Sequence, residues 1–189
     1  MKMSADGLVA FDSPNYPHLA DVGVSIKYNQ AAMLSKCENT AKKLKFLPFS
    51  EVPIGVLKVF PGIQFGLFEE IMTEKLSGIV LETFGAGNIP GSGNTLLPII
   101  KKAFSAGTVI TVCSQCPAGT VILGAYETSS SLKAAGAVSG RDMTTEAAVA
   151  KLYHLFSLGI SKDEIKQKME MNLQGELTNF IDSLEKINR

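Results

Sequence analysis

GIVLETFGAGNIPGSGNTLLPIIKKAFSAG, residues 78–107, decides the fold. Its first seven residues form a nearly continuous apolar run, as expected of a strand covered on both faces. Its last twelve, LLPIIKKAFSAG (96–107), have helical spacing. Pro98 is tolerable there only in the first turn, and Gly107 is placed as a C-cap. Between them lies a loop with glycines at 85, 87, 91 and 93. Strand, glycine loop, helix is a βαβ beginning.

The pattern extends in both directions. Upstream, IGVLKVF (54–60) reads as a strand. FGLFEEIMTEKL (65–76) carries apolar residues at Phe65, Phe68, Ile71, Met72 and Leu76, a helical period. Downstream, TVITVCSQC (108–116) reads as a third strand. Strands alternating with helices predict an α/β domain, a parallel sheet flanked by helices in three layers. The last third reads as helical. Asp142 or Thr144 can cap a helix through KLYHLFSL that stops at Gly159. Ser161-Lys-Asp-Glu164 is a capping box opening another helix, with Ile165, Met169 and Leu173 on its apolar face and Gly175 at its end.

Composition narrows the functional classes. The 189 residues are 46% hydrophobic and 19% charged, with zero net charge. That suits a chain burying a core and argues against disorder. It lacks the basic excess of a nucleic-acid partner. No apolar run is long enough to span a bilayer, and MKMSADGLVAF lacks the apolar stretch of a secretory signal. Three cysteines, an odd number, point to reduced thiols in a cytosol-like compartment.

The loop fits neither common phosphate-binding pattern. In a dinucleotide fingerprint, G-x-G-x-x-G, the third glycine position here holds Pro90, which has no N–H to donate. No Gly-Lys-Ser/Thr follows for a P-loop. Either the loop is a plain turn or it holds a small ligand. Ligands of open α/β sheets sit at the carboxyl ends of strands, where Asn88 lies next to Gly87. Its amide offers a donor and an acceptor together, which suits a zwitterion such as an amino acid. Cys113-Ser-Gln-Cys116 has redox spacing, and Pro117 is compatible with a helix start. Buried structural thiols and a ligand contact are the other readings. His18, His154 and Cys37 show no metal-ligand spacing, and no G-x-S-x-G elbow is present. The residues alone identify no catalytic group, metal or cofactor.

Taken in order, SPNYPHLADVGV (13–24), FPGI (60–63), GIVLETFGAGNIP (78–90), the run from SQCPAG to EAAVAKL (114–152) and NLQGELT (172–178) resemble the C-terminal domain of L-asparaginases. The cytoplasmic type I group resembles them most. The resemblance runs from about residue 2 to 178. It implies an interdomain-connection-like lead-in over 1–30, a Rossmann-like α/β domain over 31–178 and a tail over 179–189. It also implies an amidohydrolase that turns L-asparagine and water into L-aspartate and ammonia without a cofactor. The nucleophilic threonines of that family belong to T-G-G-T and G-T-D-T motifs in an N-terminal domain, and neither motif occurs here. The chain is therefore expected to be a C-terminal half that is inactive alone, and its partners a small amino acid and either further copies or an N-terminal asparaginase domain. Neither nucleic acid nor membrane is an expected partner. Two alternatives stand beside this: a non-catalytic amino-acid-binding or regulatory module, and the asparaginase-like subunit of a tRNA amidotransferase. The resemblance assigns Asn88, with Gly87, to the substrate's α-amino end. It also implies a regulatory amino-acid site in which a cysteine aligns with Cys116. An arginine of that site is replaced by Glu82, and a carboxylate cannot clamp another carboxylate as a guanidinium does.

Overall fold

The computed structural model describes residues 1–7, 10–33, 46–90, 93–124 and 127–178. Cys37 and the expected tail over 179–189 lie outside them. The chain forms two compact units, Met1–Leu47 and Pro48–Arg189.

In the first unit, β1 (Ala20–Val22) pairs antiparallel with β2 (Ile26–Tyr28), with Val22 opposite Ile26. Lys2 and Phe11 form an isolated antiparallel bridge. The Tyr16 hydroxyl donates to the Ala32 carbonyl at 2.7 Å.

The second unit is the α/β domain. Four parallel strands lie in the order β3 (Ile54–Lys58), β4 (Gly78–Thr83), β5 (Val109–Ser114), β6 (Val138–Ser139). Strand alternation splits the core into two layers. Ile79, Leu81, Ile110 and Val112 pack on one side with Leu96, Ile100 and Ala103 of α1 (Gly93–Ser105). Val80, Val109 and Cys113 pack on the other with Leu152 and Leu155 of α3 (Thr145–Ser157) and Ile165 of α4 (Lys162–Met169). Apolar residues on both faces explain why β4 and β5 read as near-continuous hydrophobic runs.

Several local expectations hold. The Thr144 hydroxyl accepts from the Ala147 N–H and caps α3, and Gly159 follows its end at a positive φ of 65°. The Ser161–Glu164 capping box closes reciprocally at the start of α4. Gly107 follows α1 with φ at 90°.

Others are corrected. Residues 65–76 form no regular α-helix. A 3-10 turn, Phe65–Phe68, runs into a wide π turn, Ile71–Lys75. The periodic apolar residues fix which side faces the core but not the pitch. Helix α1 starts earlier than expected, so Pro98 lies inside it rather than in its first turn. The missing N–H and the ring cost that helix one backbone bond. Helix α4 ends at Met169, not at Gly175, because residues 170–178 turn back as a strap. Asp142, the other candidate cap, accepts from the Thr178 N–H at 2.8 Å and ties down that strap. Helix α2 (Glu127–Ala134) and β6 were not anticipated.

At Gly140, beside β5, an added Cβ would lie 2.6 Å from the Cys113 sulfur and 2.8 Å from the Val112 carbonyl oxygen. Backbone cannot yield as a side-chain tip can. Gly140→Ala is expected to destabilise the domain by about 1–3 kcal/mol. Chemical denaturation measures it, with Gly159→Ala, which meets nothing within 4 Å, as the comparison for conformational strain alone.

Candidate functional site

The carboxyl ends of β3, β4 and β5 form a single edge. Gln115 braces it: its side-chain amide donates to the carbonyls of Val59 (2.5 Å) and Glu82 (2.9 Å), and its backbone N–H donates to Thr83 (2.9 Å). Three strand ends are thereby held by one residue.

From this edge β4 passes directly into a tight loop. Phe84 and Asn88 face each other as an isolated bridge: the Phe84 N–H donates to the Asn88 carbonyl at 2.9 Å, and the Asn88 N–H returns to Phe84 at 2.8 Å. Closing a loop over so few residues requires positive φ, which Gly85 (49°) and Gly87 (118°) supply. Gly87 is also buried. A Cβ there would stand 3.3 Å from Val121 and 3.4 Å from Leu123, so the loop lies flat under that segment. The Ile122 N–H pins it further by donating to the Ala86 carbonyl at 3.2 Å. Ile89 is buried and Asn88 is exposed. Together these contacts mount a polar residue at the mouth of a parallel sheet on a loop anchored from both sides.

Glu82 is the penultimate residue of β4, with its side chain largely covered. One carboxylate oxygen accepts from the Thr145 hydroxyl at the start of α3 (2.5 Å), and the other lies 3.5 Å from the Lys58 ammonium. Lys58 is directly opposite Glu82 in the parallel register. Glu82 thus meets its charge needs with its own neighbours. Sequence reasoning missed both partners. Opposite charges at the ends of successive strands were the available signal for Lys58, but nothing local marks Thr145.

The two cysteines separate. Cys113 lies buried on β5, and burial, then the nearby Glu82 carboxylate, push its thiol up to about 12. Cys116 is exposed in a bend, where its N–H donates to the Ser114 hydroxyl. No helix begins there, so the thiolate stabilisation that a redox pair draws from a helix N-terminus is missing. The Glu82 carboxylate is engaged by Lys58 and Thr145. In a Cys37→Ser/Cys116→Ser background, Cys113 is expected to react with a thiol reagent at pH 8 about a thousandfold slower than a cysteine at the ordinary value of 9.0. Unfolding should abolish the difference. Rapid labelling of the folded protein would contradict this placement.

A separate open groove of about 630 Å3 is lined by Phe49, Val56, Thr145, Glu146, Val149, Ala150 and Tyr153. The Asn88 loop takes no part in its lining. Among the described residues, no group of three or more His, Cys, Asp or Glu side chains is placed to hold a metal, and no helix is long and apolar enough to cross a membrane.

Residues 53–169 match the sequence model of the glutaminase/asparaginase C-terminal domain. The chain belongs to that family. L-asparaginase 1 of Escherichia coli is similar to it, with 34% identity over 177 residues covering 94% of this chain and 51% of that protein. The human 60 kDa lysophospholipase is 38% identical over 178 residues, covering 94% of this chain and 30% of that protein. Among solved structures, L-asparaginase I of Vibrio cholerae superposes with a TM-score of 0.84 at 38% identity, covering 95% of this chain and 53% of that one. The chain spans about half the length of these asparaginases. It corresponds to their C-terminal half. The three-layer parallel α/β architecture of this asparaginase-family domain is the one its sequence predicted.

Proposed function

We propose that this chain is the C-terminal half of an L-asparaginase, an amidohydrolase in which water displaces ammonia from the side-chain amide of L-asparagine to leave L-aspartate. Asn88, held beside Gly87, supplies contacts to the α-amino end of the amino acid. The hydrolytic groups come from a polypeptide equivalent to the half of the relatives that this chain does not match, since threonine is a poor nucleophile without a base and orienting groups around it. The assembly works in the cytoplasm without a cofactor.

The observation that carries this reading is the mounting of Asn88. A neutral amide oxygen accepts from an ammonium without introducing a charge, and a rigid loop keeps the ordering cost of binding low. Glu82 speaks against an arginine-like regulatory clamp, because its carboxylate is already engaged by Lys58 and Thr145. That an asparaginase and a lysophospholipase both share this half supports giving it a positioning role and assigning the chemistry elsewhere.

The direct test is a structure of the assembled protein with L-asparagine. The α-amino nitrogen is expected about 3 Å from the Asn88 side-chain oxygen. An amino acid bound elsewhere, with the Asn88 loop bare, would refute the assignment.

A further inference from the structure

The Gln115 side chain has one end that the fold does not use. Its amide nitrogen donates to the Val59 and Glu82 carbonyls at 2.5 and 2.9 Å. A carbonyl only accepts, so the nitrogen must face the strand ends and the oxygen must turn away from them. Gln115 is half-buried, and its side-chain oxygen has no partner among the described residues. Among those residues, Thr111 alone has a side-chain polar atom that is both buried and unpartnered. The Gln115 oxygen is therefore open to solvent.

Its anchor adjoins that of the Asn88 loop. The Gln115 N–H donates to the Thr83 carbonyl, and the next residue, Phe84, exchanges two backbone bonds with Asn88. Two side-chain amides are thus tied to consecutive residues at the end of β4. One rides on a pinned loop and the other grips two strand ends directly. An acceptor already fixed in direction loses little freedom when a ligand's donor meets it.

We infer that the Gln115 oxygen is a second acceptor for the α-ammonium group of the amino acid, beside Asn88. The inference rests on the proposed amino-acid site and adds a residue to it. An ammonium carries three donors, so a single neutral acceptor leaves two of them to be met. One side chain then serves twice: its nitrogen holds the strand ends and its oxygen holds the ligand.

Two substitutions in the full 189-residue chain separate these ends. Gln115→Lys keeps donors for the carbonyls but has no acceptor. Gln115→Glu keeps an outward oxygen but, ionised, has no donor. L-Asparagine is the probe, its binding followed by NMR titration, and thermal unfolding reports on the brace. Gln115→Lys should keep the wild-type Tm and bind asparagine about tenfold or more weakly. Gln115→Glu should lower Tm without weakening binding. Succinamic acid, which is asparagine without its α-amino group, should lose no affinity in Gln115→Lys. Equal asparagine affinity in wild type and Gln115→Lys would overturn the inference. So would affinity that follows Tm through both variants, the same loss for succinamic acid, or no saturable asparagine binding. If asparagine binds in the expected pattern but the chain assembled with the unmatched half of an asparaginase releases no ammonia, the Gln115 contact stands and the proposed hydrolysis falls.

Discussion

Lys151→Met is expected to cost about 3–5 kcal/mol of stability, a fall in Tm of about 6–20 °C for a domain of this size. Lys151 is a buried cation, its side chain only 4% exposed. Its ammonium donates to the Met169 carbonyl at 3.1 Å and to the Met171 carbonyl, and pairs with Glu176 at 2.5 Å. It therefore caps the end of α4 and holds the strap over 170–178. Glu176 accepts in turn from the backbone N–H groups of Leu173 and Gln174, and Asn172 closes the strap by accepting from Gly175. Methionine fills the space but leaves a carboxylate and two carbonyls without their donor. Removing both charges with Lys151→Met/Glu176→Leu should recover part of the loss, because an apolar pair of similar volume avoids the uncompensated ion. A double variant no better than the single one would show that the pair is not what holds the strap.

The same residues set a pH dependence. Burial raises Glu176, but Lys151 and the backbone donors together outweigh it and hold the carboxyl below its ordinary value of 4.5. A lowered carboxyl contributes stability that is fully present above 4.5 and lost as pH falls through the folded-state value. The wild-type protein should lose stability below that point more steeply than Glu176→Gln. Urea denaturation across acidic pH measures the two slopes.

The sheet was legible in the sequence because β4 and β5 are buried on both faces and leave nothing to compete with the apolar signal. Other elements lacked such a signal. Helix α2, ETSSSLKA, is largely polar, and Leu132 is its one large buried apolar residue. Strand β6 has only two residues and is set by its pairing with Thr111 and Val112. The strap misled because Leu173 continues the helical period of Ile165 and Met169, while the lysine that ends the helix lies 18 residues upstream of Met169. In the candidate site, the loop glycines and Asn88 could be read from residue type alone. The Glu82 network could not, since Lys58 and Thr145 reach it only through the fold.

The second large effect concerns Asn88. Losing a hydrogen bond to a charged group costs about 1.5–3 kcal/mol, so Asn88→Ala should lower kcat/KM for asparagine by about 10- to 100-fold in the assembled protein. The substitution keeps the backbone groups through which Phe84 and Asn88 close the loop. Gly87→Ala should be worse, since it adds strain at a φ of 118° and pushes against Val121.

The most direct measurement is ammonia release from L-asparagine by the chain alone, by the chain assembled with the unmatched half of an asparaginase, and by that assembly carrying Asn88→Ala. The account predicts no turnover for the chain alone, turnover on assembly, and a loss of tenfold or more in the variant. Hydrolysis by the chain alone, a properly formed assembly that stays inert, or a variant with undiminished turnover would contradict it.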